Sequence, residues 1–127
     1  MPDFLLDSDV IIWFLRGRKD VVAMVNKLQR VGAVLCSAIS LTEVHLGIKK
    51  GEEGITNDFL DALVVCPVDR EVASSAGDLI RENKKGGAVL EIPDALIAAS
   101  CLLNDFILVT CNKKHYRMFK GLKIFFE

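Results

Sequence analysis

Hydrophobic residues recur along this chain in two patterns, short unbroken runs and longer stretches with a single apolar face. The runs are Phe4-Leu5-Leu6, AVLCSA (33–38), LVVCPV (63–68), FILVT (106–110) and KIFF (123–126). Each is bounded by turn residues or charges, and each predicts a β-strand. Between them VIIWFL (10–15), VVAMVNKLQRV (21–31), SLTEVHLGIKK (40–50), ITNDFLDAL (55–63), REVASSAGDLIRENKK (70–85) and DALIAASCLLN (94–104) predict helices. A serine opens the third of these, and Gly86-Gly87 forms a natural C-terminal stop for the fifth. Strand and helix alternate throughout, which argues for an α/β fold: a mainly parallel central sheet of about five strands with helices on both faces. At 127 residues and 51% hydrophobic side chains, the chain is expected to form one compact domain over 1–127 with a full core.

In an open parallel sheet the ligand crevice lies outside the carboxyl ends of the strands, so polar residues just past a strand are where chemistry is to be sought. Asp7 directly follows Phe4-Leu5-Leu6, and Asp9 lies two residues on, before an apolar run. An ionised carboxylate taken out of water costs several kcal/mol unless a cap, an ion pair or a cation compensates it. Either aspartate can cap the following helix, but Ser8 is available too, so the segment holds more acceptors than capping requires. Glu43 follows the AVLCSA strand, and Ser40-x-x-Glu43 matches a reciprocal capping box that would account for it fully. Asp94, after Pro93, suits the first turn of its helix. Asn112, just beyond FILVT, suits a turn. His45 reads as an ordinary helix residue, since no second histidine or cysteine stands at a metal-binding offset.

Singly, each residue has a structural explanation; together they are oxygen-bearing groups at four junctions that one sheet edge could gather. Carboxylates brought together repel, and their pKa values rise unless a cation neutralises them. An all-oxygen set without sulfur or nitrogen suits a hard ion such as Mg²⁺ or Mn²⁺.

Composition adds limits. The longest apolar stretches are too short to cross a bilayer and no signal-peptide pattern opens the chain, so a cytoplasmic location and no membrane association are expected. Cys36, Cys66, Cys101 and Cys111 show no zinc spacing and read as buried thiols. Positive mean hydropathy suggests apolar surface reserved for a partner. Sixteen basic against seventeen acidic residues leave a net charge of −1. The basic residues nonetheless cluster at Arg16, Arg18 and Lys19, at Lys49 and Lys50, at Lys84 and Lys85, and from Lys113 to Lys123. Each cluster alone suits a solvated helix end.

The segments LLDSDVIIWFLRG, SAISLTEVHLGI, PDALIAASCLLNDFILVTCN and KKHYRMFKGLKI together resemble a PIN-domain ribonuclease, and most of all the small VapC-type toxins of toxin–antitoxin pairs. The resemblance covers essentially the whole chain. It implies a metal-dependent endoribonuclease whose acids are Asp7, Glu43 and Asp94, with Asn112 at a fourth position where aspartate is frequent. It further implies Mg²⁺, with Mn²⁺ as substitute, held by Asp7, Asp94 and Glu43. Thr110 and Asn112 would orient the ion or a phosphate, and Arg16, Lys113 and Lys114 would attract the RNA backbone. The loss of one charge at Asn112 disfavours a two-metal mechanism, and Asp9 either assists at the site or caps the helix. A cognate antitoxin covering the pocket and a homodimer complete the implied partners. Two other readings compete: a catalytically inactive PIN domain serving as a binding module, and a phosphorylation-controlled receiver domain with Asp7 and Asp9 as its metal pair and Asp69 and Lys113 as acceptor and lysine.

Overall fold

The structure is a computed structural model that describes residues 2–87 and 89–125. Five strands, β1 (Asp3–Leu6), β2 (Ala33–Ser37), β3 (Val64–Cys66), β4 (Ile107–Val109) and β5 (Lys123–Ile124), form one sheet in the order β3-β2-β1-β4-β5. Every pairing is parallel, so the expected mainly parallel sheet is fully parallel among the described residues. Phe126 of the KIFF run lies outside them. Six helices intervene: α1 (Ser8–Leu15), α2 (Lys19–Val31), α3 (Ala38–Leu46), α4 (Glu53–Asp61), α5 (Arg70–Lys84) and α6 (Ile92–Asn104).

The expected elements are all present, with shifted ends. The third helix begins at Ala38 rather than Ser40, because Ser37 at the end of β2 is its N-cap, its hydroxyl accepting from Ile39 N–H at 3.3 Å. It ends at Leu46, where Gly47 takes the C-cap position and leaves Lys49 and Lys50 in the following loop. The sixth helix starts two residues before Asp94, at Ile92, with Pro93 in its first turn, where a missing N–H costs nothing.

Side chains alternate across the central strands, and this divides the core in two. Phe4, Leu6, Val34, Cys36 and Val109 point to one face and pack with Val10 and Ile11 of α1 and Val21, Val25 and Leu28 of α2. Leu5 and Leu108 point to the other and meet Ile97, Ala98 and Cys101 of α6, with Tyr116 and Phe119 beyond β4. α5 lies over α6, burying Val72 and Ala76 against Ala95 and Ala99. Cys36, Cys66 and Cys101 are buried thiols as expected, but Cys111 is exposed, because it lies past the end of β4.

The start of β2 depends on close backbone approach. A Cβ built on Gly32 would collide with the Pro2 carbonyl oxygen, so Gly32→Ala must push apart the segments leading into β1 and β2. Overpacking of this kind costs about 1–3 kcal/mol. A lowered melting temperature in Gly32→Ala is the expected result, and an unchanged one would show that the two segments part freely.

Strand order creates the crevice. From β1 the chain proceeds outward to β2 and β3, then returns to place β4 on the other side of β1. The order therefore reverses between β1 and β4, and the carboxyl ends of these two strands flank the opening that such a switch point leaves. Asp7 N–H donates to Val109 O at 2.9 Å and continues the ladder one residue past β1, fixing the first aspartate at that opening.

Candidate active site

Asp7 caps α1 from an extended backbone conformation, its Oδ1 accepting from Ser8 N–H at 2.8 Å. Its Oδ2 accepts from the Thr110 hydroxyl, also at 2.8 Å, across the switch point. Capping thus uses only one oxygen. Burial, followed by repulsion from Asp9, raises the Asp7 carboxyl to about 6, although the bonds from Thr110, Ser8 and Tyr116 pull it down. Desolvation outweighs three hydrogen-bond donors, as expected for an acid arranged to meet a positive charge that the protein does not itself supply.

Asp9 does not act as the cap. Its Oδ2 accepts from Cys111 N–H at 3.2 Å, and its Oδ1 is buried with no hydrogen-bond partner. Burial raises this carboxyl too, with a further contribution from Asp94. A buried carboxylate oxygen left without a donor costs on the order of 1–3 kcal/mol, more when charged, so this atom calls for a proton or a cation.

The capping-box reading of Glu43 is overturned, since Ser37 holds the cap and Ser40 lies inside α3. Ser8 Oγ lies 2.7 Å from Glu43 Oε1 and 2.8 Å from Ser40 Oγ. A hydroxyl has one proton to donate, so Ser8 donates to the carboxylate and receives the Ser40 proton. This serine relay, joining α1 to α3, orients Glu43 toward Asp7 and Asp9.

Asp94, in the first turn of α6, is partly buried, which raises its carboxyl. Two neighbours oppose that rise. The Tyr116 hydroxyl donates to Oδ1 at 3.3 Å, and His115 Nδ1 stands 3.6 Å from Oδ2. Tyr116 is fully buried, and its hydroxyl, kept well above the ordinary phenol range by burial and by Asp7 and Asp94, remains a donor between the two acids. Tyr116→Phe preserves the ring packing and removes that donor. The Asp94 carboxyl should then titrate higher, because a donor that favours its charged form is gone. Carboxyl-carbon NMR of the two proteins measures this, and identical titrations would leave Tyr116 as a packing residue alone.

Asp7, Asp9, Glu43 and Asp94 line one hollow of about 250 Å³, together with Ser8, Ile12, Asn112 and His115. Every acid and the asparagine expected at the site therefore reach it. Thr110 borders the site through Asp7, and Asn112 N–H donates to its hydroxyl at 3.0 Å. The Asn112 side chain faces His115, Nδ2 to Nε2 at 3.4 Å, from a short 3-10 turn (Lys113–His115). Lys114 lies beside Asp94 and His115 in a neighbouring hollow, and Lys113 beside Thr110 and Cys111 in another. Arg16 is placed differently, at the far end of α1 near Trp13. His115 and Tyr116 were not singled out by sequence, and Ser8 and Ser40 entered there only as capping residues. Tyr116 is the chain's one tyrosine, and its hydroxyl would need a partner once buried; that was the available signal.

The receiver-like alternative fails on geometry. Asp69 is spent capping α5, accepting from Val72 N–H at 2.9 Å, and it follows β3, an edge strand rather than a middle one.

Comparison with known proteins agrees with this architecture. The PIN domain family matches residues 4–120. Ribonuclease VapC10 of Mycobacterium tuberculosis is 31% identical over 119 residues, covering 94% of this chain and 90% of that protein. Among solved structures, VapBC2 from Rickettsia felis bound to a promoter DNA fragment shares the fold with a TM-score of 0.86 at 21% identity, covering 97% of each chain. A toxin–antitoxin complex from Klebsiella pneumoniae has a TM-score of 0.77 at 25% identity, covering 96% of this chain and 95% of that one. The chain belongs to the PIN domain family and, within it, with the VapC ribonucleases.

Proposed function

We propose that this chain is a divalent-metal-dependent endoribonuclease, the toxin of a type II toxin–antitoxin pair, working with Mg²⁺ or, in its place, Mn²⁺. The observation that carries this is the convergence of Asp7, Asp9, Glu43 and Asp94 from three separate segments on one hollow, in a chain 31% identical to a named ribonuclease. The donor set fits a hard cation. The four acids offer only oxygen, burial and then Asp9 raise the Asp7 carboxyl to about 6, and Asp9 Oδ1 is buried and without a partner. Among the described residues no group of three or more acids is gathered as a ready metal site, so an ion here would take one or two of these carboxylates directly and reach the others through water.

Asp7, Asp94 and Glu43 would hold the ion, with Asp9 adding charge through its unpartnered oxygen. A bound divalent ion supplies polarisation of a phosphoryl oxygen and eases deprotonation of water. Glu43, fixed by the Ser8 hydroxyl, accepts a hydrogen bond from the attacking water and sets its direction. Thr110 holds the Asp7 carboxylate in the orientation that faces the hollow. Asn112, at the rim, positions a phosphate oxygen, and Lys113 and Lys114 attract the backbone without reading its sequence.

A cognate antitoxin covering this hollow, a homodimer and a cytoplasmic setting complete the reading. Large apolar side chains exposed at Leu46, Ile55, Val64 and Ile92 support protein contacts. Among the described residues no helix is long and apolar enough to cross a membrane.

The purified chain should cleave RNA with Mg²⁺ or Mn²⁺ and lose that activity with EDTA. Asp94→Asn and Glu43→Gln should each cut the rate by about a hundredfold or more, in line with the several kcal/mol a metal site contributes. Undiminished cleavage by either variant would remove it from the site, and metal-independent cleavage would overturn the mechanism.

A further inference from the structure

Beyond the acids, α1 carries a second feature, the segment Trp13-Phe14-Leu15-Arg16-Gly17-Arg18 at its carboxyl end. Gly17 takes a left-handed φ of 77°. Gly17 N–H donates to Phe14 O and Arg18 N–H to Trp13 O, both at 3.0 Å, which is the paired-bond helix ending called a Schellman motif. The turn folds the chain back on its own helix and brings two guanidinium groups to one indole. Arg16 Cζ lies 5.8 Å and Arg18 Cζ 5.1 Å from the Trp13 ring centre. Asp20 clamps Arg18 through Nε at 2.8 Å and Nη2 at 3.1 Å, which uses two of the five guanidinium donors and fixes the plane of the group. Trp13 itself remains 38% exposed. The open part of the indole lies beside two guanidinium groups, one of them clamped by Asp20, and core packing of the ring explains neither cation.

Its position is informative. Trp13 is four residues after Asp9, so the two lie on the same face of α1, one turn or about 6 Å apart along the axis. The two sites are also joined at the side. Thr110, which bonds Asp7, and Cys111, whose N–H bonds Asp9, share a hollow of about 250 Å³ with Arg18 and Lys113. Arg18, which stands over the Trp13 ring, thus lines a hollow whose Thr110 and Cys111 are bonded to the two aspartates of the acid hollow.

From this geometry we infer that Trp13, with Arg16 and Arg18, is a stacking platform for an unpaired base of the RNA strand next to the scissile phosphate. The inference rests on the ribonuclease reading. Single-stranded nucleic acid is held by aromatic rings and guanidinium planes that stack its bases, combined with cations that track its phosphates, and this segment offers both. The platform tolerates any base and favours single-stranded over duplex RNA, because a base already stacked in a helix has no free face.

Trp13 is the chain's only tryptophan, so its emission reports on the platform with no variant needed. Wild-type protein in EDTA, which stops cleavage, is titrated with single-stranded RNA of about twelve nucleotides, within the span such sites cover. Anisotropy of a labelled copy reports binding, and emission with the unlabelled RNA reports stacking. The expected result is loss of at least half the Trp13 emission over the same concentration range as the anisotropy change. Polyphosphate, a polyanion without bases, should compete in anisotropy while leaving emission unchanged. Trp13→Ala should weaken RNA binding about 5- to 150-fold, the loss typical of one stacked base, with Trp13→Phe losing less. Binding with unaltered emission, or equal quenching by polyphosphate, would overturn the platform while leaving the nuclease reading intact, and would leave this face to a protein partner. No RNA binding at all would overturn both.

Discussion

Asp7→Asn is expected to lose about a thousandfold in RNA cleavage while its melting temperature in metal-free buffer holds or rises. The two effects separate because Asp7 does two jobs that ask for different chemistry. As the N-cap of α1 it needs one side-chain oxygen to accept from Ser8 N–H, and asparagine caps as well as aspartate does. As a member of the acid hollow it needs negative charge, which asparagine lacks. Without metal, that charge is a burden, since desolvation and Asp9 already drive the carboxyl to about 6. Removing it relieves repulsion in the metal-free protein and removes an attraction for the metal. A thousandfold loss corresponds to about 4 kcal/mol, within the several kcal/mol a bound ion contributes to stabilising developing charge. Cleavage at the wild-type rate would sink the assignment of Asp7. A variant that no longer folds would show that its interaction with Thr110, rather than its charge, dominates.

The second large effect is a pH-dependent response of stability to metal. The Asp7 carboxyl titrates near 6 in the folded chain and near 3.8 when unfolded, so between these values the folded state binds more protons. Stability of the metal-free protein must then fall as pH rises through that window. Asp7 alone accounts for on the order of 3 kcal/mol by pH 7, at about 1.4 kcal/mol per pKa unit. Asp9 and Asp94, both raised by burial, act in the same sense, whereas the exposed Asp20, lowered by Arg18, acts in the opposite one. Subtracting the melting profile of Asp7→Asn from that of the wild type cancels distant groups such as Asp20 and leaves Asp7 together with its coupling to Asp9. Protons and cations compete for the same oxygens, so millimolar Mg²⁺ should raise the melting temperature clearly at pH 7.5 and little at pH 5. A metal response equal at both pH values, or a difference profile flat from pH 4 to 7, would mean that the Asp7 charge is compensated within the protein.

Much of this was legible in one dimension. The runs and periodic stretches predicted all five strands and six helices, and the errors were at element ends. There a single side chain decides, as when Ser37 rather than Ser40 takes the cap of α3. Asp7, Glu43, Asp94 and Asn112 could be picked out because each stands just past a strand or at a helix start. Arg16, expected to attract the RNA backbone, does not line the acid hollow; α1 carries it to its far end, where it meets Trp13.

The sequence by itself determined the alternation of elements and the residues standing just past the strands, because those depend on interactions reaching only a few residues along the backbone. Tertiary structure alone decided that β4 returns beside β1. That pairing sets the Thr110 hydroxyl on Asp7 across 103 residues, and the parallel pairing of β1 with β2 lets the Ser8 relay reach Glu43 across 35. It also left one oxygen of Asp9 buried without a donor. Such contacts arise from the packing of whole elements and leave no mark in local pattern: a capping aspartate and a metal-binding aspartate are the same residue in a sequence, distinguished only by what the rest of the chain brings to the second oxygen.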